Sequence, residues 1–213
     1  MSLQANIEII TNGPFAVNSY IVSDPATSAC AIVDPGAEPE RLVNFITTKK
    51  LNPVALLNTH GHVDHIEGNG VIKNTYNIPL YIGVHDAEML TNTTLNLSAW
   101  LPHGIVSPPA DKQLNEGDTI EVGKLNFKTL HTPGHTPGHV TFVVENHCLC
   151  GDVLFAGSIG RTDFPGGSMD TLLASIKEKL MVLPDAYQVY SGHGPVTTIG
   201  REKKENPFVN EHL

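Results

Sequence analysis

Positive charge is scarce in this chain: 13 Lys and Arg stand against 22 Asp and Glu, for a formal net charge of -9. A protein held by phosphates needs a basic face, so this balance argues against nucleic acid as a partner. Cysteine is scarcer still. Cys30, Cys148 and Cys150 make an odd count without a disulfide framework, and each reads as a small buried hydrophobe within a strand. Cys148 and Cys150 alternate and so share a face, which a thiol site and two ordinary core positions would both produce. No apolar run is long enough to span a bilayer, so no membrane partner is expected. Met1 to Pro14 lack the basic segment and apolar stretch of a secretory signal, and the expected compartment is a reducing cytoplasm. A Gly-x-Ser-x-Gly elbow is missing too, which removes the usual serine nucleophile of an α/β-hydrolase.

Histidine, by contrast, is plentiful, at 11 of 213 residues. Thr59-His60-Gly61-His62-Val63-Asp64-His65 packs three imidazoles and a carboxylate into a few positions, directly after the apolar stretch Val54-Ala55-Leu56-Leu57. The apolar stretch reads as a buried strand, so the histidines emerge where a strand gives way to a loop. Neutral imidazole together with carboxylate suits zinc and its first-row neighbours, and the spacing is short enough for the side chains to share one site.

Around this cluster the pattern predicts strands over 6–10, 16–23 and 28–34, a helix over 38–50, a helix over 64–76 and a strand over 79–82. A helical turn is expected over 86–90, followed by a polar stretch, 91–113, long enough to cover a substrate. The second half predicts strands over 119–122, 124–130, 139–145, 147–150 and 187–190, with a helix over 169–183. Strands followed by helices, twice over, imply sheet stacked on sheet with helices outside. Two divalent ions need ligands from several strand ends, because four residues of one loop cannot enclose both. His135, Asp152 and His193 each follow a predicted strand beside a glycine. Taken singly, each would more often be an ordinary turn residue; their shared context beside the His cluster makes them candidate ligands.

The motif His60-x-His62-x-Asp64-His65, with His135, Asp152, His193 and the Asp34 of Val33-Asp34-Pro35-Gly36, resembles the metallo-β-lactamase superfamily in the expected order. The resemblance implies an α+β fold, a four-layer αββα sandwich with metals at one edge of the two sheets. It also implies one such domain over residues 1–213, without the C-terminal helical domain of longer type II glyoxalases. By the same likeness His60, His62 and His135 hold one ion, Asp64, His65 and His193 hold the other, and Asp152 bridges them. The ions are expected to be zinc, with iron or manganese as alternatives. Such a pair lowers the pKa of bridging water and supplies a hydroxide nucleophile. Asp34 is either a carboxylate orienting a ligand imidazole or simply an Asp-Pro-Gly turn. His139 is placed behind the ligands or in strand packing, and His85, His103, His131, His147 and His212 are taken as non-ligands.

Within the superfamily, Thr132-Pro133-Gly134-His135-Thr136-Pro137-Gly138-His139, Gly160-Arg161-Thr162-Asp163-Phe164-Pro165-Gly166-Gly167 and Asn206-Pro207-Phe208 are similar to compact bacterial type II glyoxalases, the hydroxyacylglutathione hydrolases. That likeness implies hydrolysis of S-lactoylglutathione to glutathione and D-lactate. The basic segment that grips glutathione in longer members has no counterpart in Val209 to Leu213. Arg161 is therefore the candidate substrate contact, against a plain salt bridge to Asp163. Tyr20 and Trp100 are either pocket walls or core. The Gly160 to Phe164 element also resembles persulfide dioxygenases, which use a single iron; that family usually has an Asp-containing final motif, whereas Ser191-Gly192-His193-Gly194 retains the histidine, which favours the hydrolase. Cleavage of another ester or thioester stays open, a β-lactamase or nuclease is disfavoured, and a metal that only braces the fold is a third class. The expected partner is a small glutathione conjugate, and the expected state a monomer or weak homodimer.

Overall fold

The computed structural model describes residues 4–210. One sheet is built from β1 (Asn6–Asn12), β2 (Val17–Ser23), β3 (Ala29–Val33), β4 (Asn52–Leu57), β5 (Leu80–Gly83) and β6 (Lys112–Leu114), in that spatial order. Its first three strands are antiparallel neighbours, and β3 through β6 pair in parallel. The other sheet uses β7 (Thr119–Val122), β8 (Leu125–His131), β9 (Val140–Val144) and β10 (His147–Gly151). After the small hairpin β11 (Leu154–Phe155) and β12 (Ser158–Ile159), it is completed by β13 (Gln188–Ser191) and β14 (Thr197–Thr198).

Alternation along the strands decides the layering. Every residue of β2 is buried, yet Tyr20 and Val22 enter one core while Ile21 enters another, as a period of two demands. Between the sheets, Val22, Ala31, Val33 and Leu57 from one side meet Phe127, Val140, Phe142 and Leu149 from the other. Behind the first sheet, Ile21, Ile32 and Leu56 pack on Leu42 and Ile46 of α1 (Pro39–Lys49). Behind the second, Cys148, Cys150 and Val189 pack on Leu172, Ile176 and Leu180. All four layers of the expected αββα sandwich are present. The three cysteines are free and buried, and serve as small core residues.

Two predicted helices differ in detail. The one expected over 64–76 splits into α2 (Val63–Ile66) and α3 (Asn69–Tyr76). Gly68, at the break, lies so close to the Gly36 carbonyl that a Cβ would stand 2.6 Å from its oxygen. The one expected over 169–183 is regular only as α4 (Met169–Ser175), after which Ile176–Leu180 widens into a π turn. The short α5 (Ile199–Glu205) and α6 (Pro207–Asn210) close the chain, and Asn206 between them donates to the Ser158 carbonyl at 2.9 Å. No helix among the described residues is long and apolar enough to cross a membrane.

Candidate metal centre

Five strand ends meet at one edge of the sandwich. β3 runs out into Asp34, β4 into residues 58–65, β8 into His135, β10 into Asp152 and β13 into His193. The pairs β3–β4 and β10–β13 are parallel, so each pair delivers its C-terminal side chains to the same end.

Groups behind the imidazoles fix which nitrogen faces inward. Thr59 donates to Asp34 twice, from its backbone N to Oδ1 at 2.8 Å and from Oγ1 to Oδ2 at 2.7 Å. Having given its hydroxyl proton to Asp34, Thr59 Oγ1 accepts from His60 Nδ1 at 3.1 Å, which leaves a lone pair on His60 Nε2. His135 is set in the same manner: its Nδ1 donates to the Arg161 carbonyl at 2.7 Å and frees Nε2. These two nitrogens close on Nδ1 of His62, at 3.1 Å from His60 and 3.0 Å from His135. Three such nitrogens turned to one point are the donor set of a zinc-type ion. Burial, with help from neighbouring imidazoles, holds His60 well below its usual value and His62 down to about 3. Both rings are thus neutral, the form that ligates.

A second group lies beside the first. His65 donates from Nδ1 to Asp34 Oδ2 at 3.0 Å, which turns its Nε2 toward Asp152 Oδ1 (3.5 Å) and Asp64 Oδ2 (3.8 Å). His193 Nε2 stands 3.3 Å from Asp64 Oδ2 and 3.6 Å from Asp152 Oδ2, and the latter oxygen is 3.7 Å from His135 Nε2. Ligand-type atoms of His60, His62 and His135, of His60, His65 and Asp152, and of Asp64, His65 and His193 each gather within 4.8 Å. His65 Nε2 and Asp152 Oδ1 are buried and have no hydrogen-bond partner. An unmet buried group of this kind costs about 1–3 kcal/mol, and a cation between them would satisfy both. Burial opposes charge on His65, but Asp64, Asp152 and Asp34 outweigh it and hold its value well above normal. Burial likewise opposes charge on Asp152 and Asp64, yet the surrounding histidines pull both below the usual carboxylate range.

Asp34 opens the Asp-Pro-Gly turn with φ at 48°, an uncommon conformation outside glycine, and its carboxylate accepts from His65 Nδ1. His139 stands behind the centre: its ring stacks on His60 at 4.9 Å, and its Nε2 accepts from the Asp152 backbone N at 3.2 Å. β2 clamps the His193 loop, because Asn18 Nδ2 donates to the carbonyls of Ser191 (3.1 Å) and Gly194 (2.8 Å), and Tyr20 donates to Ser191 O at 2.5 Å. Tyr20 is therefore core and does not line the cavity. His85, His103, His131 and His147 join none of the ligand groups among the described residues, and His212 lies outside those residues.

Sequence reasoning missed Asp86. Its Oδ2 accepts from the Gly61 N (3.2 Å) and Thr136 Oγ1 (2.6 Å), and its Oδ1 from the Gly138 N (2.6 Å). One buried carboxylate thus ties the His60–His62 loop to the His135 loop. The signal was present: Asp86 also follows an apolar strand, β5.

Over the centre opens a cavity of about 620 Å³ whose walls include Phe15, Leu97, Trp100, Phe155, Ile159 and Phe164. Trp100 is 68% exposed, so it stands at the mouth as a wall and not in a core. Arg161 lines the same cavity and is also paired with Asp163, through Nη2 to Oδ2 at 2.6 Å.

The sequence profile of the metallo-beta-lactamase superfamily matches residues 12–193. The chain belongs to that superfamily. Hydroxyacylglutathione hydrolase GloC of Haemophilus influenzae is 40% identical over 218 residues, covering 96% of this chain and 98% of the relative. The crystal structure of BLEG-1 B3 metallo-beta-lactamase superimposes with a TM-score of 0.91 at 38% identity, covering 96% of this chain and 99% of that one. The structure of TTHA1623 in a di-iron-bound form gives a TM-score of 0.84 at 38% identity, covering 94% and 99%. Superfamily membership carries the coarse chemistry with it, that of a metal-dependent hydrolase.

Proposed function

We propose that this superfamily member hydrolyses the thioester of S-lactoylglutathione with two divalent metal ions. The observation that carries the reading is the position of Asp152, whose two oxygens face both imidazole groups at 3.5 to 3.7 Å. His60, His62 and His135 would hold one ion, Asp64, His65 and His193 the other, and Asp152 would touch both. Zinc fits the donor set first, and iron is supported by the di-iron form of TTHA1623. When bound, such ions bring a coordinated water toward neutral pKa and stabilise negative charge on a carbonyl oxygen.

The chain supplies the rest. Asp64 and Asp152 carry two negative charges into the site, offsetting part of the cationic charge, while the imidazoles add none in their neutral, ligating form, which for His65 means giving up the proton that the carboxylates otherwise hold on it. Asp34, Thr59 and the Arg161 carbonyl hold the ligand rings in fixed tautomers, so little reorganisation accompanies the reaction. Phe15, Leu97, Trp100 and Phe155 give the substrate apolar walls that displace water from the scissile bond. Support for the thioester comes from the likeness to GloC along nearly the full length of both chains.

The test is a substrate panel on protein loaded separately with zinc, iron and manganese, with metal content measured on each preparation. S-lactoylglutathione should give the highest kcat/KM. Oxygen consumption with glutathione persulfide, in excess of any thioester cleavage, would replace this reading with a dioxygenase. Preferential opening of a cephalosporin would replace it with a β-lactamase, the activity named for BLEG-1.

A further inference from the structure

The loop after β12, running from Gly160 to Gly167, has two roles at the cavity wall. Its backbone supports the metal centre through the Arg161 carbonyl on His135. Its side chains form a stack, in which Phe164 stands edge-on to His62 at 5.5 Å and the Arg161 guanidinium lies 4.0 Å over the Phe164 ring. Arg161 is the single Lys or Arg among the described residues that line the cavity. One edge of its fork is already engaged: Nε donates to Asp163 Oδ1 at 2.7 Å and Nη2 to Oδ2 at 2.6 Å. Hydrogen bonding to Arg161 pulls the Asp163 carboxyl down to about 2, so the pair is ionised at neutral pH. An arginine grips a carboxylate best with two parallel N–H groups. With its Nε/Nη2 edge on Asp163 and one face on Phe164, Arg161 keeps only the Nη1/Nη2 end of its guanidinium uncommitted to that pair.

We infer that Asp163 acts as a charge filter on substrate choice. It neutralises Arg161 and occupies one edge of its fork, so the cavity takes acyl thiols of low net charge with an apolar body in preference to polyanionic carriers such as nucleotide-linked thiols. The inference rests on the thioester reading for the bond that is cut, whereas the charge preference belongs to binding alone. Asp163 touches Arg161 and not the reacting atoms, which makes it a specificity-determining residue and not a catalytic one.

Binding of two uncleavable thioethers to the metal-loaded protein separates these ideas. The probes are S-hexylglutathione and its diethyl ester, which share the S-hexyl chain and peptide and differ in two carboxylates capped as ethyl esters. The readout is the ratio of their Kd values by calorimetry, ester over acid. Any contribution of a free carboxylate to the metals is common to all variants and cancels when ratios are compared. In Asp163→Asn the ratio should rise about three- to fivefold, the size of one exposed charge pair. Adding Arg161→Gln to that variant should return the ratio to the wild-type value or below it. An unchanged ratio in Asp163→Asn overturns the inference, as does a rise that survives in the double variant or a failure of both probes to bind. Loss of the thioester reading would show differently, as no cleavage of S-lactoylglutathione by a protein whose probe ratio still shifts.

Discussion

Nε2 of His65 and Oδ1 of Asp152 lie 3.5 Å apart, buried, and neither makes a hydrogen bond. The gap is maintained from both sides. Asp34 holds the far nitrogen of His65, and His139 holds the backbone N of Asp152. Gly192 makes room for the pair, since a Cβ there would stand 2.1 Å from Asp152 Oδ1 and 2.7 Å from His65 Cε1. A buried polar pair kept at this separation is costly unless something positive fills it.

Metal binding should therefore be visible in stability as well as in turnover. An ion present at one hundred times its Kd stabilises by about 2.7 kcal/mol, or roughly 5–10 °C in Tm for a chain of this size. Thermal melts before and after chelation, with metal content on the same samples, measure the shift. Asp152→Ala, which removes the shared carboxylate, should lower thioester turnover at least about 100-fold and leave fewer than two ions per chain. Two ions and undiminished turnover in that variant would refute the assigned position of Asp152.

Asp86 should prove nearly as important without touching the cavity floor. Asp86→Ala strands two backbone N–H groups and the Thr136 hydroxyl, which together cost about 3 kcal/mol. The two ligand loops it joins would then separate, lowering metal affinity about 10- to 100-fold. Urea unfolding of the metal-free protein reads the first effect, and competition with a chromophoric chelator reads the second. Asp86→Asn keeps one acceptor oxygen and should fall between. A variant with normal metal affinity would reduce Asp86 to a structural link.

What the sequence revealed and what it hid follow from range. The candidate ligands stood out because each is a polar residue just past an apolar run, a local pattern, and the two sheets because strand-like runs followed by helices recur in both halves of the chain. Asp86 follows the same pattern but lacks a motif of its own, and its meaning depends on loops 25 and 52 residues away. The break at Gly68 depends on contact with Gly36, and the fold places that contact where no periodicity shows it. The state of Arg161 depends on side-chain geometry: the sequence offers substrate contact and salt bridge as rivals, and the structure pairs the guanidinium with Asp163 on the wall of the cavity.

Gly192→Ala tests the spacing of the centre directly. The added methyl meets Asp152 Oδ1 and the His65 ring, and the overpacking should cost about 1–3 kcal/mol. Because the displaced groups are candidate ligands, turnover should fall by about tenfold or more, out of proportion to stability, as catalytic geometry is sensitive to shifts near 1 Å. Activity and Tm measured together decide it. Loss of stability with full activity in the remaining folded protein would show that Asp152 has room to move.

Acid stability should carry the signature of Asp111, far from the centre. Its Oδ2 accepts from the Leu80 backbone N at 2.8 Å and pairs with Lys73, joining α3 to the parallel edge of the first sheet. The hydrogen bond from Leu80 and then the Lys73 ammonium lower its pKa beneath 3.8. The folded carboxylate thus resists protonation longer than the unfolded one, and between the two values unfolding takes up a proton. Stabilisation is complete above 3.8 and is lost as pH falls through the lower folded value. Wild type should exceed Asp111→Asn by about 0.5 kcal/mol near pH 6, a figure discounted for the exposure of the pair. That margin should shrink toward zero in urea titrations carried out at successively lower pH. A difference that stays constant into acid would mean that Asp111 stabilises through packing or neutral hydrogen bonding and not through its charge.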